Sequence, residues 1–379
     1  MGHGDADVDA FLTRSVRGPA AWPASLSPEA VLGRATYHGV TALLASDAEG
    51  WPAAVLVPLR AAARARSMWE LRHRIVLSDL LAALEEAGIR ALLIKGTALA
   101  YDLYDPPALR SRGDSDILVA PHQAEAARRV LAGLGFAPFL GDPEALGAQR
   151  LQEVWERQTA DGLSHQIDLH WQALNAPALS RALPFEDAWA RARPLPRLGP
   201  AARALPLDLA LLLACAHRAQ HAFTPYLVAG TTHYGGDRLI WLRDIHLLAG
   251  ALDAPGWEAL AHAAEASGLA AVALDGLGTA ARLLGTALPA GPLAHLAALR
   301  RDTPEARYLL GSRQVGRAWQ DLRAASGPGA RLAFLRDRLL PSAGFLRAKY
   351  PDWADRSLPA LHLRRVADFL RPRRSGGDA

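Results

Sequence analysis

The sequence predicts an α+β fold, a small mixed β-sheet core with helices before it and a helical domain after it, on three observations. Short apolar runs of strand length, Ala91 to Ile94, Ile117 to Val119 and the alternating His165 to Trp171, gather in the one stretch between residues 91 and 171. Helical spacing of Leu77, Leu80, Leu81 and Leu84 precedes that stretch. Ala- and Leu-rich text without strand signals follows it, beyond the Pro-rich RPLPRLGPAARALP at 193–206. The expected organisation is an N-terminal helical region (1–88), a core (89–195), a C-terminal helical domain (206–370) and a basic tail (371–379).

In chain order, Ser27-Pro28-Glu29 offers an N-cap with proline at the first helical position and opens a helix through about Ala45. A long helix is expected from Pro58 to Ala87, with Gly88 as its C-cap, delivering the chain into a strand at Arg90 to Ile94. Lys95-Gly96-Thr97 turns the chain into a short helix, Thr97 to Leu103, which Asp105-Pro106-Pro107 ends before a loop carrying Arg110 and Arg112. Asp114-Ser115-Asp116 opens the next strand, and Pro121 starts an amphipathic helix that ends near Gly133 to Gly135. Phe136 to Leu140 reads as a strand, 143–150 as a helical turn, and Leu151 to Thr159 as a strand pairing with His165 to Trp171 across Asp161-Gly162. The product is a small mixed sheet with helices on one side. Helices then follow at Leu207 to Ala222, Asp237 to Ala251, Pro255 to Ser267, Leu269 to Leu284 and Pro292 to Arg301, with a loop at 229–236.

Composition narrows the function classes. At 379 residues, half of them hydrophobic and 21% charged, the chain buries a large core and is not a long disordered segment. A balance of 42 basic and 38 acidic residues permits an anionic substrate without demanding one. Arginines at 60, 64, 66, 72 and 74 lack an aromatic stacking pattern and read as a solvated helix face rather than a nucleic-acid patch. Cys215, the single cysteine, excludes an intrachain disulfide, reads as a buried small hydrophobe and suits a reducing cytoplasm. The acidic N-terminus lacks a signal-peptide pattern, and the longest apolar run, Leu209 to Ala216, falls short of the roughly twenty residues a span needs. A soluble, cytoplasmic protein is expected.

The chemistry concentrates in the strands. Period-two alternation puts Asp114 and Asp116 on one face, opposite Ser115, Ile117 and Val119. Carboxylates that close repel unless a cation lies between them, and oxygen ligands of this kind suit Mg²⁺ or Mn²⁺. Gln166, Asp168 and His170 share a face in the later strand, so Asp168 supplies a third carboxylate if the two strands are neighbours. Three acids, a glycine turn and nearby arginines are the parts of metal-assisted phosphoryl or nucleotidyl transfer.

In order and spacing, KGTALAYDLY, an arginine at 110 or 112, DSDILV and IDLHW resemble the uncharacterised bacterial nucleotidyltransferase-like family of the polymerase-beta superfamily. The resemblance extends through HRAQH at 217–221 and RLIWLRDIHLL at 238–248. That superfamily's usual loop is Gly-Gly or Gly-Ser after a helix; here Gly96-Thr97 keeps the hydroxyl and Lys95 precedes it. The resemblance implies Mg²⁺-dependent transfer of a nucleoside monophosphate from an NTP to a hydroxyl or phosphate acceptor, with release of pyrophosphate. The acceptor is left open among a small molecule, a peptide, a protein and an RNA end.

Roles follow from charge. Asp114 and Asp116 hold two metal ions, and Asp168 completes the acceptor side and helps remove the hydroxyl proton. Amides of Gly96 and Thr97, with the Thr97 hydroxyl, cradle phosphate oxygens. Arg110 and Arg112 are bidentate phosphate donors, of which one suffices. Lys95 either neutralises the triphosphate or pairs with an acid. His170 is either a site residue or a packed histidine. His217 and His221, four apart, share a helix side. They form a polar patch facing the nucleotide together with Asp244, or pack between helices; Arg218 stands where a metalloprotease-type zinc motif needs glutamate. Trp171 and Trp241 read as core. A glycosyltransferase with a DxD motif would need several βα units before that motif, where this chain reads as helix. A catalytically silent nucleotide-binding or regulatory protein of toxin–antitoxin type, with the same fold, is the alternative, and retention of all three acids speaks against it.

Overall fold

The computed structural model describes residues 3–139, 151–224, 226–228, 230–233, 235–311, 314–325 and 327–370. The expected helical turn at 143–150 and the basic tail lie outside them. Four helices come first: α1 (His3–Arg17), α2 (Pro28–His38), α3 (Thr41–Asp47) and α4 (Ala53–Glu86). Ser27 caps α2 through its side chain, as the Ser-Pro-Glu signal predicts. The single helix expected to Ala45 is two, because Gly39 takes φ +71 and ends α2 in a left-handed cap. A β-carbon at Gly39 would also meet the Arg238 guanidinium at 2.9 Å. α4 starts ahead of Pro58, whose missing N–H removes one hydrogen bond near the helix start.

The core alternates β1 (Ala91–Ile94), α5 (Lys95–Leu103), β2 (Asp114–Val119), α6 (Ala124–Gly133), β3 (Ala137–Pro138), β4 (Gln152–Gln158) and β5 (Ser164–His170). After α7 (Phe185–Ala190), β6 (Arg193–Pro194) and β7 (Arg203–Ala204) complete a seven-stranded sheet of order β3-β4-β5-β2-β1-β7-β6. The Pro-rich stretch is therefore part of the sheet, which continues past residue 195. Ala204 pairs with Leu93, and Leu195, Leu198 and Ala202 are buried under the sheet.

Helices cover both faces of the sheet, not one. Leu93, Ile117, Ile167 and Leu169 pack with Leu77, Leu80, Leu81 and Leu84 of α4 and with Ala127 and Leu131 of α6. Leu92, Ile94 and Leu118, on the other face, join a second core with the C-terminal helices. That core is built around α8 (Leu207–His221), α9 (Leu239–Ala251), α10 (Ala254–Ala266) and α11 (Ala270–Leu284). Where the loop at 229–236 was expected, β8 (Tyr226–Val228) and β9 (Thr231–His233) form a hairpin.

A distant histidine ties the N-terminal helices to α9. The backbone N–H of Leu239, one of the orphan donors at the α9 start, donates to His38 Nδ1 at 3.2 Å, while His38 Nε2 lies 2.8 Å from Asp9. Arg34 binds the same Asp9 carboxylate through both oxygens, at 2.7 and 2.6 Å. Cys215 is fully buried between α8 and α11, against Gly276, where a β-carbon would come within 2.6 Å of its sulfur. Burial pushes its thiol up to about 12, which removes it as a nucleophile. Among the described residues no helix is long and apolar enough to cross a membrane.

Candidate active site

β2 and β5 are parallel neighbours, with Asp116 opposite Asp168 and Asp114 opposite Gln166. Adjacent strands lie about 4.8 Å apart, so acids in register on one face become lateral neighbours. Asp116, Asp168 and His170 bring one potential ligand atom each within 4.8 Å of one another. Asp114 shares their face and lines the same cavity, half-buried, one pleat along β2 and outside that closest group. The third member of the group is thus an imidazole.

Lys95 completes the cluster. Ile94, the last residue of β1, pairs with Asp116, so Lys95 follows directly at that end of the strand. Lys95 adopts φ +52, a left-handed conformation that costs a non-glycine residue about 1–3 kcal/mol and tends to occur at functional sites. Its ammonium lies 2.6 Å from Asp116 Oδ1, and His170 Nε2 lies 2.9 Å from the same oxygen. Of the two roles open for Lys95, the structure shows the pairing with an acid.

Charge is unequally shared among the acids. Burial pushes Asp116 up, but the charge of Lys95 and the hydrogen bond from His170 outweigh it and hold this carboxyl well below the usual range. Burial, then the charge of Asp116, raise Asp114. Burial and the charges of Asp114 and Asp116 push Asp168 well above the usual range. Burial acts to lower Lys95, yet Asp116 outweighs it and the ammonium is held above its ordinary value. One lysine therefore faces three carboxylates. Asp168 receives only a long bond from Gln152 Nε2, at 3.4 Å, and Asp116 Oδ2 has no protein donor among the described residues. Underbonded carboxylate oxygens converging on one cavity fit a hard divalent cation.

α5 begins at this cluster. Ile94 supplies no side-chain cap, so the first amides of α5 are free to meet an anion where Lys95 and Gly96 line the cavity. Gly96 admits close approach, since a β-carbon there would lie 3.3 Å from the Arg110 guanidinium. The other expected phosphate groups are committed elsewhere. Thr97 is fully buried, and its hydroxyl lies 2.8 Å from Ser115 Oγ and accepts from Arg112 Nε at 3.0 Å. Arg112 donates to Glu70 at 2.7 Å, and Arg110 clamps Asp244 of α9 with bonds of 2.7 to 3.1 Å. Both arginines line the cavity wall while their charges are already neutralised.

Beneath β2, on its opposite face, lies a polar layer that the strand patterns do not announce. Ser115 Oγ lies 2.6 Å from His73 Nε2, and His73 Nδ1 lies 3.1 Å from His165 Nδ1. Trp69 stacks on His73 at 4.2 Å, and Tyr101 donates to Glu70 at 2.6 Å. One signal was available: Arg66, Glu70 and His73 continue the stripe of Leu77, Leu80 and Leu84 at spacings of three and four, placing polar side chains on the buried face of α4.

The cavity, of about 1380 Å³, separates the acid cluster from α8 and α9. Its far wall includes His217, His221, Tyr226 and Trp241. His217 and His221 touch through their Nε2 atoms at 3.0 Å, and His221 stacks on Trp241 with centroids 5.0 Å apart. Burial holds His217 well below its ordinary value and His221 at about 4, so both are neutral at neutral pH. Asp244 does not join this patch, being held by Arg110 and by Tyr104 at 2.7 Å. Trp171 packs at the sheet core, whereas Trp241 also faces the cavity.

No curated protein matches the sequence. A family model described as an uncharacterised nucleotidyltransferase matches residues 24–285, a span that holds the whole sheet, the acid cluster and helices α8 to α11. The chain with its β2–β5 acid pair thus belongs to that nucleotidyltransferase family.

Proposed function

We propose that the protein transfers a nucleoside monophosphate from an NTP to a hydroxyl or phosphate acceptor, with Mg²⁺ or Mn²⁺ held by Asp116 and Asp168 and supported by Asp114. The carrying observation is the in-register placement of Asp116 and Asp168 beside the uncapped start of α5. A cation bound there would neutralise charge on the triphosphate and on the attacking oxygen. The amides of Gly96 and the following residues receive phosphate oxygens, and Lys95 fixes Asp116 in its charged form. Asp168, poorly bonded and raised by burial and by its acidic neighbours, takes the acceptor proton on a carboxylate oxygen. The neutral imidazoles and the indole of the far wall offer flat faces to a base. A reducing compartment suits the lone thiol, and the cytoplasm is the proposed location.

Thermal unfolding with each of the four NTPs in Mg²⁺ tests the reading, followed by pyrophosphate detection when acceptors are supplied. The preferred NTP at a hundred times its Kd should add about 2.7 kcal/mol of stability. If no NTP stabilises the protein and no pyrophosphate forms, the silent regulatory alternative replaces it.

A further inference from the structure

One arginine of the cavity has no carboxylate in contact with it among the described residues. Arg110 and Arg112 are bound to Asp244 and Glu70. Arg66, half-buried on α4, lines the same cavity and has neither a carboxylate nor a hydrogen-bond partner among the described residues. It is held instead by stacking, its Cζ 4.6 Å from the centroid of Trp69. Trp69 is in turn fixed by the His73 ring beneath it and by donation of its indole N–H to the Ser164 carbonyl at 3.1 Å. Such a guanidinium keeps its fork of donors unspent and its position set.

Its surroundings are unfavourable to it in the absence of an anion. Burial, then the charges of Arg112 and Arg110, hold Arg66 down at about 10, still protonated at neutral pH, while Glu70 and Asp114 act in the opposite sense. The Trp69 ring on which it lies also carries Arg112, at 5.6 Å, and bonds the first residue of β5, the strand of Asp168, which puts Arg66 on the acid side of the cavity. Arg238, the other cavity arginine without a carboxylate, has its Nε committed to the Tyr37 carbonyl and lies over Trp241 on the far wall.

We propose that Arg66 is the phosphate-binding residue that grips the β- and γ-phosphoryl oxygens of the NTP and then the departing pyrophosphate, the part expected of Arg110 and Arg112. The inference rests on the nucleotidyl-transfer reading and adds the residue that receives the leaving group. In the step, the acceptor oxygen forms a bond to the α-phosphorus, the bond from that phosphorus to the α,β-bridging oxygen breaks, and its electron pair stays on the pyrophosphate. Arg66 neutralises that developing charge and itself changes no bond.

Calorimetric titration of the full chain with inorganic tripolyphosphate in Mg²⁺, at fixed ionic strength, tests this. Arg66→Ala should weaken binding by about tenfold to a hundredfold, the scale of one charge-assisted bidentate contact. Arg66→Lys should fall between, as a point charge lacks the fork. Arg64→Ala, on the exposed side of the same helix, should bind as wild type. The unliganded melting temperature of each variant, read beside the titration, separates lost binding from lost folding. Unchanged binding by Arg66→Ala, or loss in Arg238→Ala instead, overturns the inference alone. Absence of tripolyphosphate binding by the wild type removes the nucleotidyl-transfer reading together with it.

Discussion

On the proposed function, Asp116→Ala is expected to lower pyrophosphate formation by about a thousandfold or more, since a cation held there would supply several kcal/mol of barrier reduction and each 1.4 kcal/mol is tenfold. Asp116 touches Lys95 and His170 and stands in register with Asp168, so its loss dismantles the charge arrangement on every side. Asp116→Asn should be as inactive, because the amide oxygen keeps the shape and loses the charge. Both changes leave the buried Lys95 ammonium without its 2.6 Å partner and should cost stability, partly offset because Asp114 and Asp168 remain near it, so folding is measured separately. Pyrophosphate release measured beside urea unfolding separates the two effects. A variant working within tenfold of wild type would sink the assignment.

Asp244→Ala is expected to destabilise the protein by about 3–5 kcal/mol, the usual cost of breaking a buried ion pair from one side. Arg110 and Asp244 are both buried, and the same carboxylate accepts from Tyr104. Burial lowers Arg110, yet Asp244 outweighs it and holds the guanidinium above its ordinary value. The pair joins the loop before β2 to α9, so it also fixes the acid strand against the helical domain. Replacing both ends, as Arg110→Met with Asp244→Leu, should cost less than the single change, because no unpaired charge is left inside. Urea midpoints at constant m-value give both numbers. A single variant that loses under 1 kcal/mol would show that the pair contributes little.

Strand chemistry was legible because alternation is local. Knowing that side chains two apart share a face is enough to align Asp114 with Asp116 and Asp168 with His170, and register then brings the two strands together. The partners of Arg110 and Arg112 were not legible: Asp244 and Glu70 lie far away in sequence, and nothing in the loop carrying the arginines distinguishes a phosphate-seeking guanidinium from a structural one. The partners of Thr97 were hidden for the same reason, its hydroxyl meeting Ser115 and Arg112 only once the sheet has formed. Arg66 shows the reverse error. Treated as one of several solvated arginines, it lies on the buried stripe of α4, and the polar continuation of a leucine face was the clue. Gly39 and the strands in the Pro-rich stretch depended on tertiary contacts, with Arg238 and with Leu93, that a window of sequence does not contain.

On the proposed function, the acid cluster is short of positive charge until a divalent cation joins it. Melting temperatures with and without Mg²⁺, for wild type and Asp168→Asn, test it directly. Relieved of a poorly bonded carboxylate, the metal-free Asp168→Asn protein should melt at or above wild type. Mg²⁺ at a hundred times its Kd should add about 2.7 kcal/mol to the wild type and far less to the variant. An equal response of the two proteins to Mg²⁺, or none in the wild type, would contradict the metal site.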